Sequence, residues 1–132
     1  IWAVRPGGKG NVTESHVAWT FKRSVSNKPS LVSKKNRLFM IHDGGVASCL
    51  DASNGKTIWQ ERIGGNYSAS PLLWNDLIYF FSEEGKTTII EANDAFKMVA
   101  TNKLDSGFMA SPAVSGNSLI LRTKSHLVKI SD

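Results

Sequence analysis

Apolar and polar positions alternate along this chain in short runs of about five residues, each closed by a glycine- or asparagine-rich turn. The densest runs are residues 37–42 (RLFMIH), 77–81 (LIYFF) and 118–122 (SLILR), where both alternating faces are apolar. Such a strand is covered on two sides, as in a sheet packed between neighbours. Residues 56–62 (KTIWQER) instead set Ile58 and Trp59 among polar neighbours, the pattern of a half-wet outer strand. Together the runs predict strands at 28–33, 37–42, 46–50 and 56–62, then 67–73, 77–82, 87–91 and 96–101, then 109–114, 118–123 and 126–131. Ahead of them, 1–4 and 16–22 read as two further strands flanking a loop, RPGGKGNVTES. Turn residues Asp43-Gly44-Gly45, Asn75-Asp76 and Glu83-Glu84-Gly85-Lys86 separate the runs. Essentially no helix is expected.

The runs repeat. A Ser/Pro dipeptide followed by apolar residues recurs at Pro29-Ser30, Ser70-Pro71 and Ser111-Pro112, with the prolines 42 and 41 residues apart. Trp19 to Trp59, Asp51 to Glu91 and Ile90 to Ile130 each span 40 residues. A period of about 40 residues built from short strands marks β-propeller blades. The fold class is therefore all-β, with about three four-stranded antiparallel blades in a single partial propeller domain spanning 1–132. Its parts are strands and loop at 1–27, a blade at 28–66, a blade at 67–108 and an incomplete last blade at 109–132. Closed rings typically have four to eight blades, so we expect the chain to form part of a larger ring. Completion by a homo-oligomer, with 16–22 of one copy finishing the last blade of another, is one arrangement that satisfies the strand count. The expected core is Leu38, Met40, Ile41, Leu50, Trp59, Leu72, Ile78, Phe80, Ile90, Leu119 and Leu121.

Charge changes this picture little. The net charge of +5 is spread along the chain, and Lys34-Lys35-Asn36-Arg37, in a hairpin turn, is the one basic cluster. We read it as a solvated loop, with no nucleic-acid partner. No apolar run is long enough to insert in a membrane. The single Cys49 lies in an apolar strand and is expected to be a buried hydrophobe. His16, His42 and His126 sit at strand ends without metal-ligand spacing. Gly7-Gly8-Lys9-Gly10 lacks the Gly-Lys-Ser/Thr ending and following helix of a phosphate loop. The acids Asp43, Asp76, Glu83, Glu84, Asp94 and Asp105 fall mainly in turns, where conformation alone accounts for them.

One segment carries a motif. Residues 49–59 (CLDASNGKTIW) resemble the tryptophan-docking motif of quinoprotein-type propellers, which the candidate residues Asp51, Gly55, Lys56, Trp59 and, one repeat earlier, Trp19 would supply. Asp51 is suited to accept N–H groups of its own loop, Gly55 to turn with positive φ, and Trp59 to wedge between blades. More widely, residues 3–19, 49–71, 83–93 and 111–130 resemble bacterial PQQ-binding-like β-propeller repeat proteins. In the second repeat Glu91, Asn93-Asp94-Ala95 and Val99 stand in place of Asp, Gly-Lys and Trp. The resemblance implies a non-catalytic scaffold that presents loops to a protein, peptide or ligand, in the periplasm or outside the cell. The alternative it implies is a fragment of a PQQ-dependent dehydrogenase. That chemistry needs a quinone, calcium held by acid and amide oxygens, an aspartate base and often paired cysteines. We expect no catalytic, metal or cofactor-binding residue in this chain.

Overall fold

Glycine- and asparagine-closed apolar runs become thirteen strands among the described residues, 1–131, of the computed structural model. A first antiparallel pair joins β1 (Trp2–Val4) to β2 (Val17–Thr20). Blade I then runs β3 (Val32–Lys34), β4 (Arg37–Ile41), β5 (Val46–Asp51) and β6 (Thr57–Arg62) in simple meander order. Blade II repeats it with β7 (Leu72–Trp74), β8 (Leu77–Phe81), β9 (Lys86–Glu91) and β10 (Met98–Lys103). Blade III comprises β11 (Ala113–Ser115), β12 (Ser118–Arg122) and β13 (Leu127–Ile130). Asp132, the last residue of the expected third blade, lies outside the described residues. The expected strand at 16–22 is β2, and its partner is β1 of the same chain.

The loop expected before β2 contains one element that its sequence hides. Thr13–His16 form a single helical turn, α1, closed by the bond from His16 N–H to the Val12 carbonyl at 2.8 Å. Asn11 Oδ1 accepts the Thr13 N–H at 3.1 Å and starts it locally, which no apolar periodicity would reveal.

Register makes the blades superposable residue by residue. Val32 pairs with Phe39, Leu72 with Tyr79 and Ala113 with Ile120, so these are equivalent positions. The serines before these strands are then equivalent too, whereas Pro29, which precedes its serine, stands two positions ahead of Pro71 and Pro112, which follow theirs. Ser30 N–H donates to Ser70 Oγ at 2.9 Å, and Ser70 N–H to Ser111 Oγ at 3.0 Å. A ladder of serines thus ties together the starts of the three first strands, with the prolines beside it at strand starts where no ladder bond is lost.

The core lies between blades. One face of blade I meets blade II through Phe39, Ile41, Cys49, Trp59, Tyr67, Ile78, Phe80 and Ile90, all buried. The other face of blade II meets blade III through Phe81, Phe108, Leu119 and Leu121. Nine of the eleven expected core residues are buried, while Leu38 and Leu72 are half-buried. Leu38 lies near the start of β4, on the face opposite Phe39 and Ile41. Leu72 lies on β7, an edge strand whose three residues are all half-buried.

Candidate functional site: the blade seams and the loop face

Asp51 organises the loop that follows β5. Its Oδ1 accepts the Ser53 N–H at 2.8 Å, the Ser53 hydroxyl at 2.6 Å and the Asn36 amide at 3.0 Å. Those bonds, Ser53's first, hold its carboxyl below the usual carboxylate range. The loop then turns at Gly55, whose φ is +73°. A Cβ added there would lie 2.5 Å from the Trp19 ring, so glycine serves both the turn and the close approach.

Two tryptophans dock in the same way. Trp19 Nε1 donates to the Ala52 carbonyl at 3.0 Å, and Trp59 Nε1 donates to the Asn93 carbonyl at 3.0 Å. Each indole leaves its own outer strand and lands on the loop after the third strand of the next unit. Trp59 also packs against Phe39, with ring centroids 6.1 Å apart, and edge-on against Phe96 at 5.3 Å. Lys56 only continues the loop, its N–H donating to Asn54 Oδ1 at 2.8 Å, and its side chain is exposed.

The alignment by spacing puts Val99 at the tryptophan position of blade II, but the ladder puts Ala100 there. Trp59 pairs with Cys49 and Ala100 with Ile89, and Cys49 and Ile89 are equivalent residues of β5 and β9. In each outer strand the register slips just before this position, leaving Ala18, Ile58 and Val99 in the bulge. Val99 is half-exposed in consequence.

The basic turn at 34–37 is not simply solvated. Arg37 grips Asp94 of blade II with Nε at 2.6 Å from Oδ1 and an Nη at 2.8 Å from Oδ2, a two-pronged pair. Lys34 Nζ lies 2.9 Å from Asp76 Oδ1 and donates to the Ala92 carbonyl at 3.2 Å. These contacts join residues 42 to 58 positions apart, for which the sequence carries no local signal. The acids of the turns after β4 and β8 are similarly engaged, and Glu83 also lies 3.5 Å from Lys28 Nζ of blade I. Asp43 is pushed up by burial, but N–H groups of Asn27 and Lys28 outweigh that and leave its carboxyl low. Glu84 accepts the Asn66 amide at 2.7 Å, and Glu83 accepts the Ser68 hydroxyl.

His42 Nδ1 accepts the Gly44 N–H at 2.9 Å, while His16 and His126 bond to the neighbouring Ser15 and Ser125 hydroxyls. Among the described residues no three His, Cys, Asp or Glu side chains come together as metal ligands. Cys49 is fully buried, and burial pushes its thiol up to about 12, which keeps it protonated and unreactive.

Where blades I and II meet on the turn face, a groove of about 670 Å³ opens between Arg62, Asn66, Glu84, Lys86, Thr101 and Lys103. Lys86 Nζ donates to the Ile63 carbonyl at 2.6 Å, and Arg62 reaches the Gly44 carbonyl at 3.3 Å. The groove is rimmed by the charged groups of Arg62, Glu84, Lys86 and Lys103 and lies among turns and strand ends, where recognition surfaces on a rigid scaffold are found.

Four-stranded meanders packed face to face through docked tryptophans define a β-propeller of the PQQ-like repeat class. A family model described as outer membrane protein assembly factor BamB (PQQ_2) matches residues 9–97, and the chain belongs to this family. BamB of Salmonella typhimurium and BamB of Escherichia coli K12 are each 25% identical to it over 122 residues. That covers 87% of this chain but 30% of either relative, so the chain spans under a third of their length. The crystal structure of BamB from Moraxella catarrhalis superposes with a TM-score of 0.71 at 18% identity, over 87% of this chain and 40% of that one. A quinohemoprotein alcohol dehydrogenase from Pseudomonas putida HK5 superposes with a TM-score of 0.63 at 13% identity, over 79% of this chain and 18% of that one. At these identities both structures speak to the fold alone.

Proposed function

We propose that this chain is a non-catalytic propeller segment that holds a protein partner on its turn face, in the bacterial envelope, as part of assembling outer-membrane proteins. The observation that carries this reading is the family match to an assembly factor over residues 9–97. It is supported by the use made of the chemistry-bearing side chains. Asp43, Asp51, Glu83, Glu84 and Asp94 each hold a loop or a neighbouring blade, and the motif residues Trp19, Gly55 and Trp59 join blades. The groove around Arg62 and Lys103 is the contact face we assign to the partner.

Fluorescence anisotropy tests this with the labelled chain titrated by an outer-membrane β-barrel protein kept unfolded by dilution from urea. The expected result is saturable binding that Arg62→Glu with Lys103→Glu weakens. A flat titration, together with a saturable absorbance change on adding PQQ and calcium, would overturn the scaffold reading in favour of a dehydrogenase-like fragment.

A further inference from the structure

The seam between blades II and III contains a slot of about 360 Å³ lined by Trp74, Tyr79, Ile89, Leu119, Leu121 and Ile130. Its volume falls within the roughly 300–1,000 Å³ usual for sites that bind organic ligands. Register identifies what kind of slot it is. Tyr79 and Ile89 are equivalent to Phe39 and Cys49, while Leu119 and Ile130 are equivalent to Ile78 and Ile90. Phe39, Cys49, Ile78 and Ile90 belong with Trp59 to one buried cluster in the preceding seam, and Phe39 touches the indole directly. The cavity is thus built on register positions that surround Trp59 in the first seam; the outer-strand residue equivalent to Trp59 is Ala100, and the residues of β10 that line the cavity are its neighbours Asn102 and Lys103. Asn102 stands two residues along the same face of β10.

We propose that this slot takes an indole-sized aromatic side chain presented by a protein partner. The proposal rests on the scaffold reading and names the residue type of the partner that the scaffold would hold. The lining argues for a flat ring. Trp74 and Tyr79 have centroids 6.1 Å apart, and Tyr79 stacks on Phe81 at 6.4 Å with an interplanar angle of 12°, so an aromatic wall already stands on one side. Leu119 and Leu121, both buried, supply the facing wall. Thr87, Asn102 and Lys103 also line the slot and bring polar groups that a ring N–H or the partner's backbone would need. The equivalent slot in this same chain shows the occupant: an indole carried on an extended strand, with its N–H given to a loop carbonyl.

The test uses the whole chain and 3-methylindole as probe, followed by NMR. Saturable shifts confined to the Trp74 and Tyr79 rings and the Leu119 and Leu121 methyls support the slot, and their absence or their spread over the whole chain overturns it. Ala100→Trp then fills the slot from within. Its ring should abolish the 3-methylindole shifts and weaken the anisotropy-measured binding of the unfolded outer-membrane protein by about tenfold or more. Unchanged partner affinity in Ala100→Trp sinks the proposal while leaving the scaffold reading intact. Loss of partner binding in the wild-type chain sinks the scaffold reading itself. If Ala100→Trp fails to fold, the location of the probe's shifts on the wild-type chain decides.

Discussion

The seam between blades I and II and the seam between blades II and III are built on one register and closed by different means. The first holds a docked indole, a two-pronged Arg37–Asp94 pair and the Lys34–Asp76 contact, all crossing from blade to blade. The second has Ala100 at the tryptophan position and relies on the Phe81–Phe108 edge contact, centroids 5.4 Å apart, and on Leu119 and Leu121. The difference teaches that a propeller repeat carries two separable signals. Strand pattern and turn chemistry make the blade, and a few long side chains decide how tightly neighbouring blades are joined.

The largest effect should come from removing the wedge. Trp59→Ala deletes a buried ring and strips a partner from the Asn93 carbonyl, so a loss of about 3–5 kcal/mol is expected in urea unfolding. A loss below about 1 kcal/mol would place the indole outside the packing that joins the blades. Next comes Gly55→Ala, which forces a side chain into positive φ and against the Trp19 ring, for an expected cost of about 1–3 kcal/mol. If the Tm were unchanged, Trp19 would not rest on this loop.

A smaller and opposite effect is expected at Tyr67. Its phenol and the Thr88 hydroxyl are buried without a hydrogen-bond partner, and its equivalent at the second seam is Phe108. Tyr67→Phe should therefore leave stability unchanged or raise it by up to about 1 kcal/mol. A clear loss would show that the hydroxyl has a partner in solution.

Alkaline titration perturbs the seam between blades I and II without a substitution. Burial pushes the Cys49 thiol and the Tyr67 phenol up to about 12, from ordinary values of 9.0 and 10.0. In the folded chain both keep their protons where the unfolded chain has released them. Stability is therefore full below pH 9 and should fall as pH rises from about 9 towards 12. Circular dichroism melts across that range check the sign, and a rising Tm would reverse the assignment.

The all-β class and the four-stranded antiparallel blades were legible because each depends on local alternation or on a 40-residue spacing that a sequence displays. Three features were not. The serines, not the prolines, are the equivalent residues, because Pro29 is displaced by two positions against an otherwise constant register. Ala100 rather than Val99 replaces the tryptophan, because the equivalence is set by a bulge in the ladder and not by counting. Arg37 and Asp94 meet across 57 residues, where nothing in either neighbourhood announces the other. The same limit hid the slot beside Ala100, which is visible only once two seams are superposed.

Native-state hydrogen exchange tests the inequality of the seams most directly, because it reads each strand in one unmodified molecule. The amides of β4, β5, β8 and β9, which flank the tryptophan-docked seam, should exchange last, and those of β12 and β13 should open first. Equal protection in blade III and blade I would contradict the account.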